Sequence, residues 1–314
     1  MRDFEPITLL MPVKNGERFL PSSFETLRQN CGPNDEILIV NDNSTDNTSA
    51  ILQKLAGTSS NVVIVNNSNP GLVNALNLGL TVASNKWIAR FDVDDKYPSN
   101  RIELTRVNIS NDSVGIFSDY SFVSDQGKNL GMMPSAIKAE FTYLSLVSSQ
   151  RTAHPSVCFN KTAVQDVGGY QQEDFPAEDI SLWLRLAKVG NLKTIPAVLL
   201  QYRLNPKSVS NTMRDKSIAK KNELISDYKF RDSIINESLT SLDETKAYYA
   251  DFKSGNARYL LHLRDLLLIL KHNPGITGKN LNYIYKKIYL DVKNYQPGQI
   301  LFREMLLRRL YRLI

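Results

Sequence analysis

The sequence predicts an α/β protein in which a mostly parallel sheet is flanked by helices and followed by an α-helical C-terminal extension. Three observations carry this. Short apolar, β-branched runs alternate with stretches of helical periodicity through the first hundred residues. Polar and acidic residues gather where those runs end. Beyond Ser210 the alternation stops and long helical patterns begin, which divides the chain into residues 1–210 and 211–314. At 314 residues and 42% hydrophobic content the chain can bury a substantial core.

Each element has its own signal. Residues 7–11 (ITLLM), 36–41 (EILIVN), 61–66 (NVVIVN) and 86–92 (KWIARFD) have the length and branching of buried strands. Between them, residues 17–30 space Phe19, Leu20, Phe24 and Leu27 for one helical face. Residues 45–56 follow a Ser/Thr/Asp cap signal, and residues 71–84 align Leu72, Leu76 and Leu80. A β-α-β-α-β-α-β series of this kind builds a parallel sheet covered on both faces, with ligands at the carboxyl ends of its strands.

Those carboxyl ends read PVKNG, NDNSTDNT and DVDD after the first, second and fourth strands. Such an edge suits a nucleotide, yet neither G-x-G-x-x-G nor G-x-x-x-x-G-K-[ST] is present to cradle phosphate. A metal must then meet the phosphate charge, and Asp92, Asp94 and Asp95 supply the hard oxygen ligands that Mn²⁺ or Mg²⁺ prefers. The same cluster also suits a turn and helix cap, for which Asp is favoured.

Charge excludes one class of partner. Residues 211–314 hold 19 Lys+Arg against 11 Asp+Glu, which leaves residues 1–210 slightly acidic with 19 against 21. The motif-bearing part is therefore poorly suited to nucleic acid. Arg2, Asp3 and Glu5 precede only a short apolar run, so no secretory leader is expected. No stretch approaches the roughly 18 apolar residues of a membrane span, and residues 259–270 are broken by His262, Arg264 and Asp265. Cys31 and Cys158 lie far apart with no partner motif, as expected of reduced thiols in a cytoplasmic protein.

From residue 6 to about 210 the order of blocks resembles the inverting nucleotide-sugar glycosyltransferases of family 2, whose fold is the Rossmann-like GT-A type. ITLLMPVKNGERFL is similar to the family's opening strand and loop, DEILIVNDNSTDNTSAIL to its acidic block, and NPGLVNALNLGLTVASNKWIARFDVDD to the run into its Asp-x-Asp motif. HPSVCFNKTAVQDVGGY looks like the acceptor-side strand and Gly-Gly-Tyr turn, AEDISLWLRL like the Glu-Asp motif that opens a helix, and LLQYRLNPKSVS like the closing strand and loop.

The resemblance implies roles. Pro12, Val13, Asn15, Asp42, Asn74, Asp92 and Asp94 match donor-binding positions, with Asp42 on the nucleotide base and Asp92 nearer ribose or sugar. Asp94 and Asp95 match the metal end of the motif. Asp179 matches the catalytic base and Glu178 its neighbour, which also fits an ordinary first-turn acid favoured by the helix dipole. His154, Gly169, Tyr170 and Trp183 fall on the acceptor side; a lone His or Trp is also common in a core. Arg203 fits phosphate or plain surface, and Asn205 stands where some members carry a metal-binding histidine.

The implied protein moves a sugar from a nucleotide donor, a UDP-sugar by preference, to a glycan or lipid-linked acceptor, with inversion. Two rivals share the fold. A sugar-nucleotidyltransferase would need a basic glycine-rich loop in place of PVKNG, and a non-catalytic glycan-binding protein should have lost the aspartates. In the extension, residues 242–271, 275–292 and 298–314 read as helices. Residues 271–314 hold 9 Lys+Arg against 2 Asp+Glu, which suits either peripheral contact with the inner face of a membrane or a helical subdomain with a solvated basic face.

Overall fold

A computed structural model describes residues 5–57, 60–133, 146, 152–206 and 208–227. The three helices expected after residue 241 lie outside the described residues. The strands are β1 (Ile7–Val13), β2 (Glu36–Asn41), β3 (Val62–Asn66), β4 (Trp87–Arg90), β5 (Ser113–Val123), β6 (Asn129–Met133), β7 (Cys158–Asn160) and β8 (Asn191–Arg203). The helices are α1 (Leu20–Asn30), α2 (Thr48–Ala56), α3 (Leu72–Val82), α4 (Arg101–Val107), α5 (Lys161–Asp166), α6 (Glu178–Leu186), α7 (Val209–Thr212) and α8 (Arg214–Asp227).

All eight strands join one mixed sheet in the order β3-β2-β1-β4-β7-β5-β6, with β8 parallel to β5 outside that path. The β1–β2, β2–β3 and β1–β4 pairs are parallel, while β7 runs antiparallel to both β4 and β5. Because the chain crosses from β3 past β2 and β1 to reach β4, the order reverses between β1 and β4. That reversal opens a crevice at their carboxyl ends, where sheets of this type bind ligands. The antiparallel β7 brings its beginning, not its end, to the same edge.

The four expected strands form, within a residue or two at their ends, and the fourth stops at Arg90, so that Phe91 and Asp92 lie beyond it. The helix expected from residue 17 starts at Leu20, because Gly16 O accepts the N–H groups of Phe19 and Leu20 in a preceding turn. Every residue of β1 and β2 is buried, as continuous apolar strands in a doubly covered sheet must be. Alternation assigns the faces of β4. Trp87, Ala89 and the following Phe91 join a core with Leu20, Phe24 and Leu27 of α1, so Ile88 and Arg90 point to the opposite face. On that opposite side α3 packs so closely that a Cβ on Gly79 would stand 2.6 Å from Leu10 Cδ1.

Candidate active site

The edge at the carboxyl ends of β1, β2 and β3 is built by three loops tied to one another. Asn15, at φ +52°, places its Oδ1 to accept the Thr45 N–H at 2.8 Å, while its own N–H donates to Ser44 Oγ at 3.0 Å. The loop after β1 is thereby stitched to the loop after β2. Val13 O accepts the Asp42 N–H at 2.8 Å, and Pro12 pairs in register with Val40. Asp42 is 5% exposed, and its Oδ1 accepts from Asn67 Nδ2 at 2.8 Å and from the Gly71 N–H at 2.9 Å. Lys14 stands 3.8 Å from its Oδ2. Asn74, half-buried on the first turn of α3, donates back to Pro70 O.

Beyond β4 the three aspartates separate into different environments. Asp92 Oδ1 pairs with Arg90 Nη2 at 2.6 Å, and its N–H donates to the Tyr97 hydroxyl at 2.7 Å. Tyr97 and Phe91 in turn carry the buried Arg101 guanidinium on their rings, 4.5 and 4.2 Å from the centroids. Asp94 Oδ2 accepts from Asn205 Nδ2 at 3.1 Å. Asp95 is 5% exposed; its Oδ1 accepts the Arg203 N–H at 2.7 Å, and its Oδ2 is buried without a hydrogen-bond partner. Burial first, and then the charge of Asp92, raises the pKa of Asp94; the same two causes with Asp94 added raise Asp95 well above the ordinary range.

Arg203 is buried and turned inward. Its Nε donates to Asp94 O at 2.6 Å, and its Nη1 donates to Ser124 O at 3.1 Å and to Asp125 O at 2.6 Å. In this arrangement the side chain clamps the aspartate loop to the β5–β6 turn. Asp125 also receives a two-pronged pair from Arg18 at 3.1 Å on each oxygen. A cleft of about 380 Å³ beside this clamp is lined by residues including Phe19, Ser22, Val93, Asp94, Asp95 and Arg203.

His154, Gly169, Tyr170 and Trp183, the residues expected on the acceptor side, assemble on the face to which Arg90 points. Gly168 and Gly169 take φ of +89° and +64°, a region that L side chains rarely adopt. A Cβ on Gly169 would meet Asn77 Oδ1 at 2.9 Å. This turn is gripped from two helices: Arg185 donates to the carbonyls of Val167 and Gly169, and Asn77 pairs with both backbone groups of Tyr170. Tyr170 consequently presents its hydroxyl to His154 Nε2 at 2.8 Å. Burial, with Arg90 nearby, holds the His154 imidazole neutral, its pKa well below the usual value. Trp183 lies wholly buried beneath them, edge-on to Phe117 at 5.1 Å and to His154 at 5.6 Å.

Glu178 and Asp179 open α6, where free N–H groups and the helix dipole favour carboxylates. Asp179 is half-buried, with Oδ1 accepting the Ile180 N–H at 2.8 Å. Glu178 is 5% exposed and its Oε2 has no hydrogen-bond partner. Burial and the neighbouring Asp179 raise its pKa to about 7. Arg90, Asp92, Glu178 and Asp179 all act electrostatically on the buried Tyr170. Arg90 and Asn77, absent from the expected set, are central here. An arginine inside the otherwise apolar run KWIARFD was the available signal for the first; an asparagine on a helix gave none for the second.

A mostly parallel sheet flanked by helices, whose strand order reverses between β1 and β4, is of the GT-A type. Residues 8–161 match the family model for glycosyl transferase family 2, and the chain carries a domain of that family. An uncharacterised glycosyltransferase of Haemophilus influenzae is 26% identical over 78% of this chain and 81% of its own length. The Escherichia coli UDP-Glc:α-D-GlcNAc-diphosphoundecaprenol β-1,3-glucosyltransferase WfgD is 24% identical over 65% of this chain and 79% of its own. The chain spans less than half the length of three Rickettsia relatives that it also matches. Among solved structures, Staphylococcus aureus TarS with UDP-GlcNAc superposes over 98% of this chain and 89% of that one, at TM-score 0.55 and 14% identity. The Pyrobaculum calidifontis mannosyltransferase PcManGT with GDP-Man and Mn²⁺ does so over 99% and 86%, at TM-score 0.56 and 15% identity. At these identities the two structures speak to the fold. Among the described residues no helix is long and apolar enough to cross a membrane.

Proposed function

We propose that this protein is an inverting glycosyltransferase that moves a sugar from a nucleotide diphosphate to a hydroxyl of a glycan or lipid-linked acceptor. The observation that carries the reading is the set of aspartates beyond β4 together with the Glu178–Asp179 pair that opens α6, the first a donor edge and the second a candidate base. Inversion by single displacement needs both at once: a group to receive the acceptor's proton and a site for the departing diphosphate. Asp179, partly exposed at the start of α6, is the base that takes that proton. Asp42 faces the nucleotide base, and the stitched loops carrying Pro12, Val13, Asn15 and Asn74 shape its cradle. His154 and Tyr170, fixed to one another, line the acceptor side.

Asp94 and Asp95 fit a hard divalent cation. They are crowded carboxylates whose ionised forms are disfavoured by burial and mutual repulsion, and Asp95 Oδ2 is a buried acceptor with nothing bonded to it. When bound there, Mn²⁺ or Mg²⁺ would supply Lewis-acid stabilisation of the diphosphate. Arg203 and Asn205 hold the carboxylate-bearing loop from behind. A UDP-sugar is the preferred donor, in keeping with the UDP-Glc in the name of WfgD and the UDP-GlcNAc in complex with TarS. The basic residues after 270 support a peripheral place on the cytoplasmic face of a membrane, where surface polysaccharide precursors are lipid-linked. The test is a panel of UDP- and GDP-sugars with Mn²⁺, read by isothermal calorimetry and by metal-dependent hydrolysis. Binding of one nucleotide sugar, lost on chelation, is expected; no binding of any would overturn the reading.

A further inference from the structure

Asp174 is a carboxylate that the fold buries and then surrounds with partners. It closes the 3₁₀ turn Gln172–Asp174 and is 8% exposed. Its Oδ2 accepts from the hydroxyl of Ser181, the fourth residue of α6, and its Oδ1 stands 3.9 Å from Lys220 Nζ of α8. The Asp174 carbonyl accepts the Ala177 N–H at 2.7 Å, and Ala177 O in turn accepts the Ser181 N–H at 3.1 Å. Residues 174–181 are thereby closed on themselves, by side chains and by backbone together. A buried charge is costly unless it is paired and hydrogen-bonded, and the pairing of this one serves that closure.

Glu178 and Asp179 sit inside the closed segment. Asp179 Oδ1 accepts the N–H of its own neighbour Ile180 at 2.8 Å, so the direction of its second oxygen follows the backbone of this turn. A base must stand within hydrogen-bond reach of the proton it takes. A misplacement of about 1 Å can cost about 10²-fold in rate. We infer that Asp174 is a positioning residue for Asp179: with Ser181 it fixes how α6 begins, and Lys220 braces it from α8. The inference rests on the sugar-transfer reading above and adds to it the residues that aim the base. It also gives a part in the chemistry to α8, which lies beyond the residues 8–161 that match the family model.

The experiment uses the full chain as wild type, Asp174→Asn, Ser181→Ala, Asp179→Asn and the double variant Asp174→Asn/Asp179→Asn, with thermal unfolding as the check on folding. The probes are UDP-Glc, UDP-GlcNAc and GDP-Man with Mn²⁺. Calorimetry reads their binding, and release of nucleoside diphosphate reads their hydrolysis, in which water stands for the acceptor. Asp174→Asn keeps the size of the side chain but weakens the charge-assisted bond to Ser181 and the pairing with Lys220. The hydrolytic kcat should fall about tenfold, part of what a 1 Å misplacement costs, while nucleotide-sugar affinity and KM stay within about twofold. Ser181→Ala, which leaves the Lys220 pair in place, should act alike, and it takes the place of Asp174→Asn, alone and in the double variant, if that protein does not fold. In the Asp179→Asn background the second substitution should cost less than about twofold, because a residue that acts through the base has nothing left to aim. A merely structural role would cost the same in both backgrounds. That result, or folded single variants whose kcat stays within about twofold of wild type, overturns the inference and leaves sugar transfer standing. A wild type that binds a nucleotide sugar and hydrolyses none does the same, and one that binds none overturns both.

Discussion

Asn77 and Tyr170, 93 residues apart, exchange two hydrogen bonds: Asn77 Nδ2 donates to Tyr170 O at 2.8 Å, and the Tyr170 N–H donates to Asn77 Oδ1 at 3.0 Å. One amide thus satisfies both backbone groups of a buried residue and fixes the ring that meets His154. Asn77→Ala removes donor and acceptor together. It should cost about 1–3 kcal/mol of unfolding free energy, measured in urea, because two backbone groups lose partners that water reaches poorly.

The assignment of Asp179 as base predicts a separation of binding from turnover. Asp179→Asn keeps the size and can still accept the Ile180 N–H, but it does not take up the acceptor's proton. Transfer should fall by about 10²-fold or more, with the calorimetric affinity for nucleotide sugar nearly unchanged. Near-normal transfer would place the base elsewhere.

For the metal end, Asp94→Ala is the informative substitution. It deletes a carboxylate whose only side-chain hydrogen-bond partner among the described residues is Asn205, so the fold should survive. Mn²⁺-supported binding of UDP or GDP should drop at least tenfold in calorimetry, as loss of one of the few carboxylates in a magnesium-type site implies. Equal affinity in the variant would remove Asp94 from the site.

Glu178 makes stability depend on pH in a definite direction. Its pKa rises from 4.5 to about 7 in the folded chain, so the native state holds a proton that the unfolded state has released. Between those values the native protein binds more protons, and stability therefore falls as pH rises, fully so above about 7. Glu178→Gln removes the ionisation. The variant should melt higher relative to wild type at pH 8 than at pH 5, and a difference independent of pH would contradict the environment described for Glu178.

The basic segment gives a fifth expectation. Leu306, Leu307, Leu310 and Ile314 recur at helical spacing with Arg303, Arg308, Arg309 and Arg312 among them. Each basic residue near an anionic surface is worth about 1 kcal/mol. Full-length protein should co-sediment with anionic but not neutral vesicles, less so as salt screens the attraction, and a chain ended at Tyr295 should not. Sedimentation that ignores this truncation would leave the segment without a membrane role.

What the sequence made legible was what is local. The apolar runs 7–11, 36–41, 61–66 and 86–92 announce strands because burial on both faces demands continuous hydrophobicity. The carboxylates at their ends stand out against it. β5 was harder to read, since SVGIFSDYSFV mixes serines and an aspartate into a strand that is nonetheless almost wholly buried. Arg203 shows the deeper limit. Nothing in QYRLN says that its guanidinium will seek carbonyls at residues 94, 124 and 125, because that choice is made by chain segments about 80 to 110 positions away. Asn77, whose partner lies 93 positions on, escaped for the same reason.

The Arg203 clamp also bears on where a working unit of this chain can be cut. The segment with the family signature closes at residue 161, yet the residue that seats the aspartate loop arrives 42 positions later and the Glu178–Asp179 pair lies in between. During synthesis the strands β1 to β4 leave the ribosome first, with Asp95 still lacking the backbone N–H it will accept. A polypeptide released at that stage would hold the loops after β1, β2 and β4 and none of the bracket that seats them. The aspartate loop is therefore completed late in elongation, when β8 pairs with β5.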